Sequence, residues 1–298
     1  MSSLRATREL KGTFTAIVTP FDKSGAVDFG KLRELVEWQI AAGVTGIVPV
    51  GTTGESPTLD VPEHEKVIAT VIEVARGRCL VIAGTGANST AEAVELTRAA
   101  KAAGADATLQ VTPYYNKPTA TGLLRHFSAV ADLGLPVVLY NVPGRTSREI
   151  PIDVIVKLAD HPGVISVKEA GGSVERVSRI VRSCNLSVLS GDDSLTLPMI
   201  AVGVRGVISV ASNVAPEPVV ALVNHALAGR FAEARALHLK YYALFTDLFL
   251  ETNPVPVKAA LAMMGRIEEV YRLPLCEMEP KTRAALAATL CEAGLLKA

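Results

Sequence analysis

Lys168 closes a short apolar run, Val164-Ile165-Ser166-Val167, and is followed by Glu169-Ala170-Gly171-Gly172. That pattern reads as a buried strand whose C-terminal tip carries an amine. A second run, Pro136-Val137-Val138-Leu139, ends in Tyr140-Asn141-Val142-Pro143-Gly144-Arg145-Thr146. An amine, a phenol and a guanidinium at neighbouring strand tips suit carbonyl chemistry on an anionic substrate. A lysine attacks a ketone only as the free amine. With an ordinary pKa of about 10.4, about 0.04% of a lysine is neutral at pH 7, and burial at a strand tip raises that fraction. A phenol alongside can move the protons that imine formation requires. A lone lysine after a strand is ordinarily a solvated charge, so the reading depends on how often the chain builds such tips.

It builds them repeatedly. Ala42-Gly43-Val44-Thr45-Gly46 precedes Ile47-Val48-Pro49-Val50, Ala103-Gly104-Ala105-Asp106-Ala107 precedes Thr108-Leu109-Gln110-Val111, and Val202-Gly203-Val204-Arg205-Gly206 precedes Val207-Ile208-Ser209-Val210. Each reads as a helix end closed by glycine, a tight loop and a short apolar strand, because the position after a helix often needs a positive φ. Strand runs fall near 13–18, 46–50, 79–83, 107–111, 136–140, 164–168, 187–190 and 206–210. They are continuously apolar, as parallel strands covered by helices should be. Helices between them start at Asp28, at Asp60-Val61-Pro62-Glu63 and at Ser89-Thr90-Ala91-Glu92, the last two read as capping boxes. Eight such units predict a (β/α)8 TIM barrel over residues 1–228, with a doubly wound open sheet as the competing topology. The rest of the chain, 229–298, reads as a docked C-terminal helical appendage, with helices over 232–250, 256–264 and 281–296.

The bulk numbers bound the function. In 298 residues, Lys+Arg and Asp+Glu total 30 each, so the net charge is zero and no footprint for nucleic acid or an anionic membrane exists. The four cysteines are scattered without a C-x-x-C pair, which fits a reducing cytoplasm. Residues 1–10 hold no apolar leader, and no run approaches the roughly 20 residues that span a bilayer.

The remaining strand tips add recognition groups. Gly51-Thr52-Thr53-Gly54-Glu55-Ser56 follows the second strand. It lacks the Gly-Lys-Thr ending of a phosphate loop, but its glycines and hydroxyls suit a small carboxylate, unless it is an ordinary turn. Gly84-Thr85-Gly86-Ala87-Asn88-Ser89 lacks the third glycine and the acid of a dinucleotide site. Thr112-Pro113-Tyr114-Tyr115-Asn116 places two tyrosines on one loop. Asp193, after the seventh strand, is expected to cap the next helix. The five histidines show no metal-ligand spacing. The expectation is a metal-independent enzyme with no organic cofactor.

Gly51-Thr52-Thr53-Gly54-Glu55, Pro113-Tyr114-Tyr115, Tyr140 through Thr146, Val167-Lys168-Glu169-Ala170 and Asn253-Pro254-Val255-Pro256-Val257-Lys258 occur in that order. Together they closely resemble the dihydrodipicolinate synthase family, of the pyruvate-dependent class I aldolase superfamily that also contains N-acetylneuraminate lyase. The resemblance covers nearly the whole chain. It implies a Schiff base between Lys168 and pyruvate, Thr52 and Thr53 on the pyruvate carboxylate, and Tyr140, Thr53 and a neighbouring subunit's Tyr115 in a proton relay. Arg145 would bind the second substrate, L-aspartate 4-semialdehyde, and Ile208 would contact pyruvate. The implied assembly is a homotetramer, as a dimer of dimers, or a dimer.

The alternative is a retro-aldol lyase on a sugar acid or 4-hydroxy-2-oxo acid, which uses the same imine but generally lacks an arginine at position 145. A non-catalytic scaffold paralogue would be expected to have lost Lys168, Tyr140 or Tyr115. Ser147 departs from a glycine common in the family. An allosteric L-lysine site would match Ser56, His64, Asn88, Glu92 and Tyr114, weakened by Val61 where sensitive members carry histidine.

Overall fold

The structure, a computed structural model, describes residues 9–297. The leader reading on residues 1–10 thus lies outside the described residues except at its last two positions. Eight strands form in sequence order: β1 Gly12–Ala16, β2 Gly46–Val48, β3 Leu80–Gly84, β4 Ala107–Val111, β5 Val137–Asn141, β6 Val164–Glu169, β7 Ser187–Ser190 and β8 Gly206–Ser209. All pair in parallel and β1 closes on β8, which makes a (β/α)8 barrel and eliminates the open sheet. β2 stops short of the expected run because Pro49 has no N–H to donate and Val50 turns to φ 55°.

Nine helices intervene around the barrel: α1 Phe29–Ala41, α2 Val61–Ala75, α3 Thr90–Ala103, α4 Ala120–Ala131, the single turn α5 Pro143–Thr146, α6 Ile152–Ala159, α7 Val174–Ser183, α8 Thr196–Ala201 and α9 Pro216–Leu227. Three more follow: α10 Phe231–Asp247, α11 Val255–Met263 and α12 Pro280–Glu292. Asp28 and Asp60 cap α1 and α2 as expected, and Asp60 with Glu63 closes a complete capping box. Such a cap stabilises a helix by about 1 kcal/mol. The matching expectation at Ser89 fails. Its hydroxyl makes no cap bond, and the hydroxyl used at that helix start is that of Thr90, bonded to His126 Nδ1 at 2.9 Å. Gly43, Gly104 and Gly203 take φ values of 83°, 97° and 110°, the left-handed turns expected of them.

Two apolar layers hold the barrel. Phe14, Val48, Ile82, Leu109, Val138, Leu189 and Ile208 fill its interior. A larger layer, including Ile47, Val81, Val137, Leu139 and Val167, packs the outer strand face against the helices. One irregularity breaks this alternation, on β6. Val164 lies opposite Val137, yet Ser166 lies opposite Val138, so Ile165 is an extra residue in the ladder. Val164 shares the outer layer, and with strict period-2 alternation Lys168 would share it too. The bulge reverses the facing beyond Ile165, so Lys168 pairs with inward-facing Tyr140.

Candidate active site

Two chemically active groups stand on the strand ladder itself. Lys168 is 6% exposed, and its Nζ lies 4.2 Å from the centroid of the Tyr140 ring. Tyr140 is equally buried. Room for the lysine is made at the tip of β7, where a Cβ on Gly191 would fall 3.0 Å from Lys168 Cε and 2.5 Å from Ala170 Cβ. The neighbouring Glu169 points the other way. It accepts from Asn141 Nδ2 at 2.8 Å, Gly171 N–H at 2.9 Å and Arg176 Nε at 3.0 Å, an arrangement that pins the β6 tip from outside.

Recognition groups sit on loops. Gly51, Thr52, Ser56, Tyr114, Tyr140 and Arg145 are among the residues lining a cavity of about 220 Å³ beyond the strand C-termini. The Gly51–Glu55 turn is bracketed by Val50 and Glu55, both at φ 55°, a conformation that costs a β-branched residue in particular. No hydrogen bond runs from the Thr52 or Thr53 N–H to another described residue, so both are free to donate to an anion. Thr53 is 3% exposed and its Oγ1 accepts from Asn253 Nδ2 at 3.0 Å. Arg145, on α5, donates from Nη2 to the Asn253 carbonyl at 2.9 Å. Ser147 ends that turn at φ 52°, which explains why glycine suits the position.

The other expected residues spread outward from this centre. Ile208 lies in the barrel interior with Tyr140. Tyr114 lines the cavity, and burial and Glu92 raise its pKa. Tyr115 is 90% exposed at φ 69°. His64 is buried on α2 with Nε2 2.9 Å from the Gly84 carbonyl, and burial holds its pKa down. The Asn88 carbonyl accepts from Asn116 Nδ2 at 2.8 Å, and Glu92 is exposed on α3.

Asp193 does not cap the helix that follows it. Its buried carboxylate accepts from Ser209 Oγ at the end of β8 and from the N–H groups of Val210 and Ala211 just past it. Asp192, beside it, is pushed up to about 6 by burial, with Lys168 opposing that shift and Asp193 adding to it. No group of three or more His, Cys, Asp or Glu side chains able to hold a metal exists among the described residues.

Three features escaped the sequence: the β6 bulge, the reach of Asn253 to Thr53 and Arg145, and a buried ion pair between Glu55 and Lys258. Only the Asn253–Lys258 segment had left a signal, as a motif without a role.

Residues 9–293 match the model of the dihydrodipicolinate synthetase family. A 4-hydroxy-tetrahydrodipicolinate synthase of Thermodesulfovibrio yellowstonii is 50% identical over 290 residues, covering 96% of this chain and 99% of that protein. The solved structure of the 4-hydroxy-tetrahydrodipicolinate synthase from Methylacidiphilum fumariolicum is 49% identical with a TM-score of 0.95, covering 96% of each chain. That of the dihydrodipicolinate synthase from Aquifex aeolicus is 48% identical with a TM-score of 0.95, covering 97% of this chain and 100% of the other.

Proposed function

The chain belongs to the dihydrodipicolinate synthetase family, and on that premise we propose that it condenses pyruvate with L-aspartate 4-semialdehyde to give 4-hydroxy-tetrahydrodipicolinate. The observation that carries this reading is the buried Lys168 amine, turned inward by the β6 bulge and set over Tyr140. Lys168 attacks the ketone carbon of pyruvate and water leaves as the imine forms. The imine draws electrons from the adjacent methyl group, which loses a proton to give an enamine. That carbon attacks the aldehyde of the second substrate, and the new alkoxide takes up a proton. The substrate's own amine then adds to the imine carbon and displaces Lys168, closing the ring. One water is released per turnover, and the protonated imine is the electron sink, so neither a metal nor an organic cofactor is required.

Tyr140 moves the protons at these steps, together with Thr53 and the Tyr115 of a neighbouring copy. The exposure of Tyr115 supports that last role and a dimeric or tetrameric assembly. Thr52 and Thr53 hold the pyruvate carboxylate through their free N–H groups and hydroxyls. Ile208 packs beside pyruvate from the barrel interior, and Arg145 takes the carboxylate of the aldehyde. No helix among the described residues is long and apolar enough to cross a membrane. With four unpaired cysteines, the protein suits the cytoplasm. Ser56, His64, Asn88, Glu92 and Tyr114 form the set for L-lysine inhibition. Exposed Val61 weakens it, and a titration of initial rate with L-lysine tests it.

Borohydride reduction in the presence of pyruvate, followed by peptide mass mapping, tests the core reading. The adduct is expected on Lys168, and an adduct on any other lysine overturns it. A coupled assay with L-aspartate 4-semialdehyde, run beside sugar-acid and hydroxy-oxo-acid substrates, separates condensation from retro-aldol cleavage.

A further inference from the structure

The segment that joins α10 to α11 comes from outside the eight strand–helix units, yet it contacts Arg145, one of the residues lining the cavity. Asn253 is 5% exposed. Its Nδ2 donates to Thr53 Oγ1 at 3.0 Å, and its backbone carbonyl accepts from Arg145 Nη2 at 2.9 Å. Its Oδ1 has no hydrogen-bond partner among the described residues, so the Thr53 bond is the side-chain hydrogen bond that sets the amide. One residue thus touches a group on the β2 loop and a group on α5. Five residues on, Lys258 forms an ion pair with Glu55, both side chains fully buried. Lys258 Nζ also lies 4.2 Å from the centroid of Phe21 and 5.3 Å from that of Tyr271. Glu55 closes the same strained turn that carries Thr52 and Thr53.

We propose that Asn253 is a positioning residue for the condensation, orienting the Thr53 hydroxyl toward pyruvate and the Arg145 guanidinium toward the aldehyde, with the Glu55–Lys258 pair anchoring its segment. This rests on the function proposed above. The physical reason lies in hydroxyl geometry. A threonine oxygen that accepts from an amide N–H directs its own hydrogen elsewhere, so Thr53 is left as a donor for a carboxylate. Without the amide, the hydroxyl can rotate to donate to a protein acceptor and stops serving the substrate. The anchor matters because the turn it holds has two residues in left-handed conformation and would relax if released. Burial lowers the Lys258 pKa, and the charge and hydrogen bond of Glu55 oppose that shift.

The two contacts of Asn253 separate by substitution, because one uses the side chain and the other the backbone. Asn253→Ala should raise KM for pyruvate about tenfold or more, the usual effect of losing a hydrogen bond to a charged group. It should leave KM for the aldehyde within about twofold, since the carbonyl to Arg145 remains. Asn253→Asp keeps the volume but replaces the donor with an acceptor that captures the Thr53 hydrogen. It should raise pyruvate KM further, with the excess over the parent shrinking as the pH falls and the carboxyl takes up a proton. Glu55→Gln combined with Lys258→Met, which removes both charges of the anchor, should raise both KM values together.

A pyruvate KM within twofold of the parent in Asn253→Ala, at an unchanged melting temperature, overturns the proposal. So does an equal rise for both substrates in that variant, or an Asn253→Asp effect that does not change with pH. Unchanged KM values in the double variant overturn the anchor. The borohydride adduct of the parent protein reports separately on the underlying function.

Discussion

Lys168 and Tyr140 stand on adjacent strands, opposite one another in register, with the ladder itself fixing their separation. Thr52 and Thr53 stand on the β2 loop and Arg145 on the single turn α5, and Thr53 and Arg145 are both held from the α10–α11 junction. The groups proposed to make bonds thus inherit their precision from the barrel. Of those proposed for recognition, Thr53 and Arg145 are held by a C-terminal segment that the barrel does not need for closure. The division matches what each group must do. An amine that forms and releases a covalent bond gains from a rigid strand, whereas substrate recognition lives on loops that a scaffold holds.

The strand side should break hardest. Lys168→Ala is expected to lower turnover by at least about 10⁴-fold and to abolish the borohydride adduct. The fold should survive, because the pairing of β6 with β5 and β7 runs through the backbone. A thermal melt with a parallel activity assay checks both halves, and retained turnover would move the chemistry off the strands.

Tyr140→Phe keeps the ring under Lys168 and deletes only the phenol. It should reduce kcat on the order of 10²-fold while pyruvate KM changes little, the pattern of lost proton transfer. If KM rose and kcat held, Tyr140 would belong with the recognition groups.

On the loop side, Arg145→Ala is expected to raise KM for the aldehyde by roughly ten- to a hundredfold with pyruvate KM unchanged. Steady-state kinetics with each substrate varied in turn will show whether the two recognition sites are as separate as their loops.

The last effect, on stability rather than turnover, lies on neither side. His126, on α4 in the helical shell, is pushed down to about 4 by burial, while an unfolded histidine protonates near 6.5. The unfolded chain therefore binds more protons between those values, and stability is present above pH 6.5 and lost as the pH falls through 4. About 3 kcal/mol is at stake. Denaturant unfolding from pH 7 to 4 should show the loss in the parent, and His126→Asn should reduce it, with buried His64 contributing in the same direction.

Much of the barrel was legible locally. The eight apolar runs, the glycine-closed helix ends and the Asp28 and Asp60 caps depend on residues within a few positions of each other, so a linear reading finds them. Ser89 and Asp193 were misread for one reason. Each looks like a cap to its neighbours in sequence, but the bonds at both places run across the fold, from Thr90 beside Ser89 to His126, and to Asp193 from the N–H groups just past β8. Asn253 could be seen as part of a motif but not assigned a task, because its partner Thr53 is 200 residues away.

The order of the strands, and the fact that their tips carry an amine, a phenol and a guanidinium, were determined by the sequence alone, since apolar runs and turn residues act over short spans. Which way Lys168 faces was decided only in three dimensions. A single extra residue in β6 reverses the alternation, and that residue is identifiable only against the partner strand. The direction of the Thr53 hydroxyl was likewise decided by packing, because a rotating O–H takes its orientation from whatever donor the folded chain brings to it.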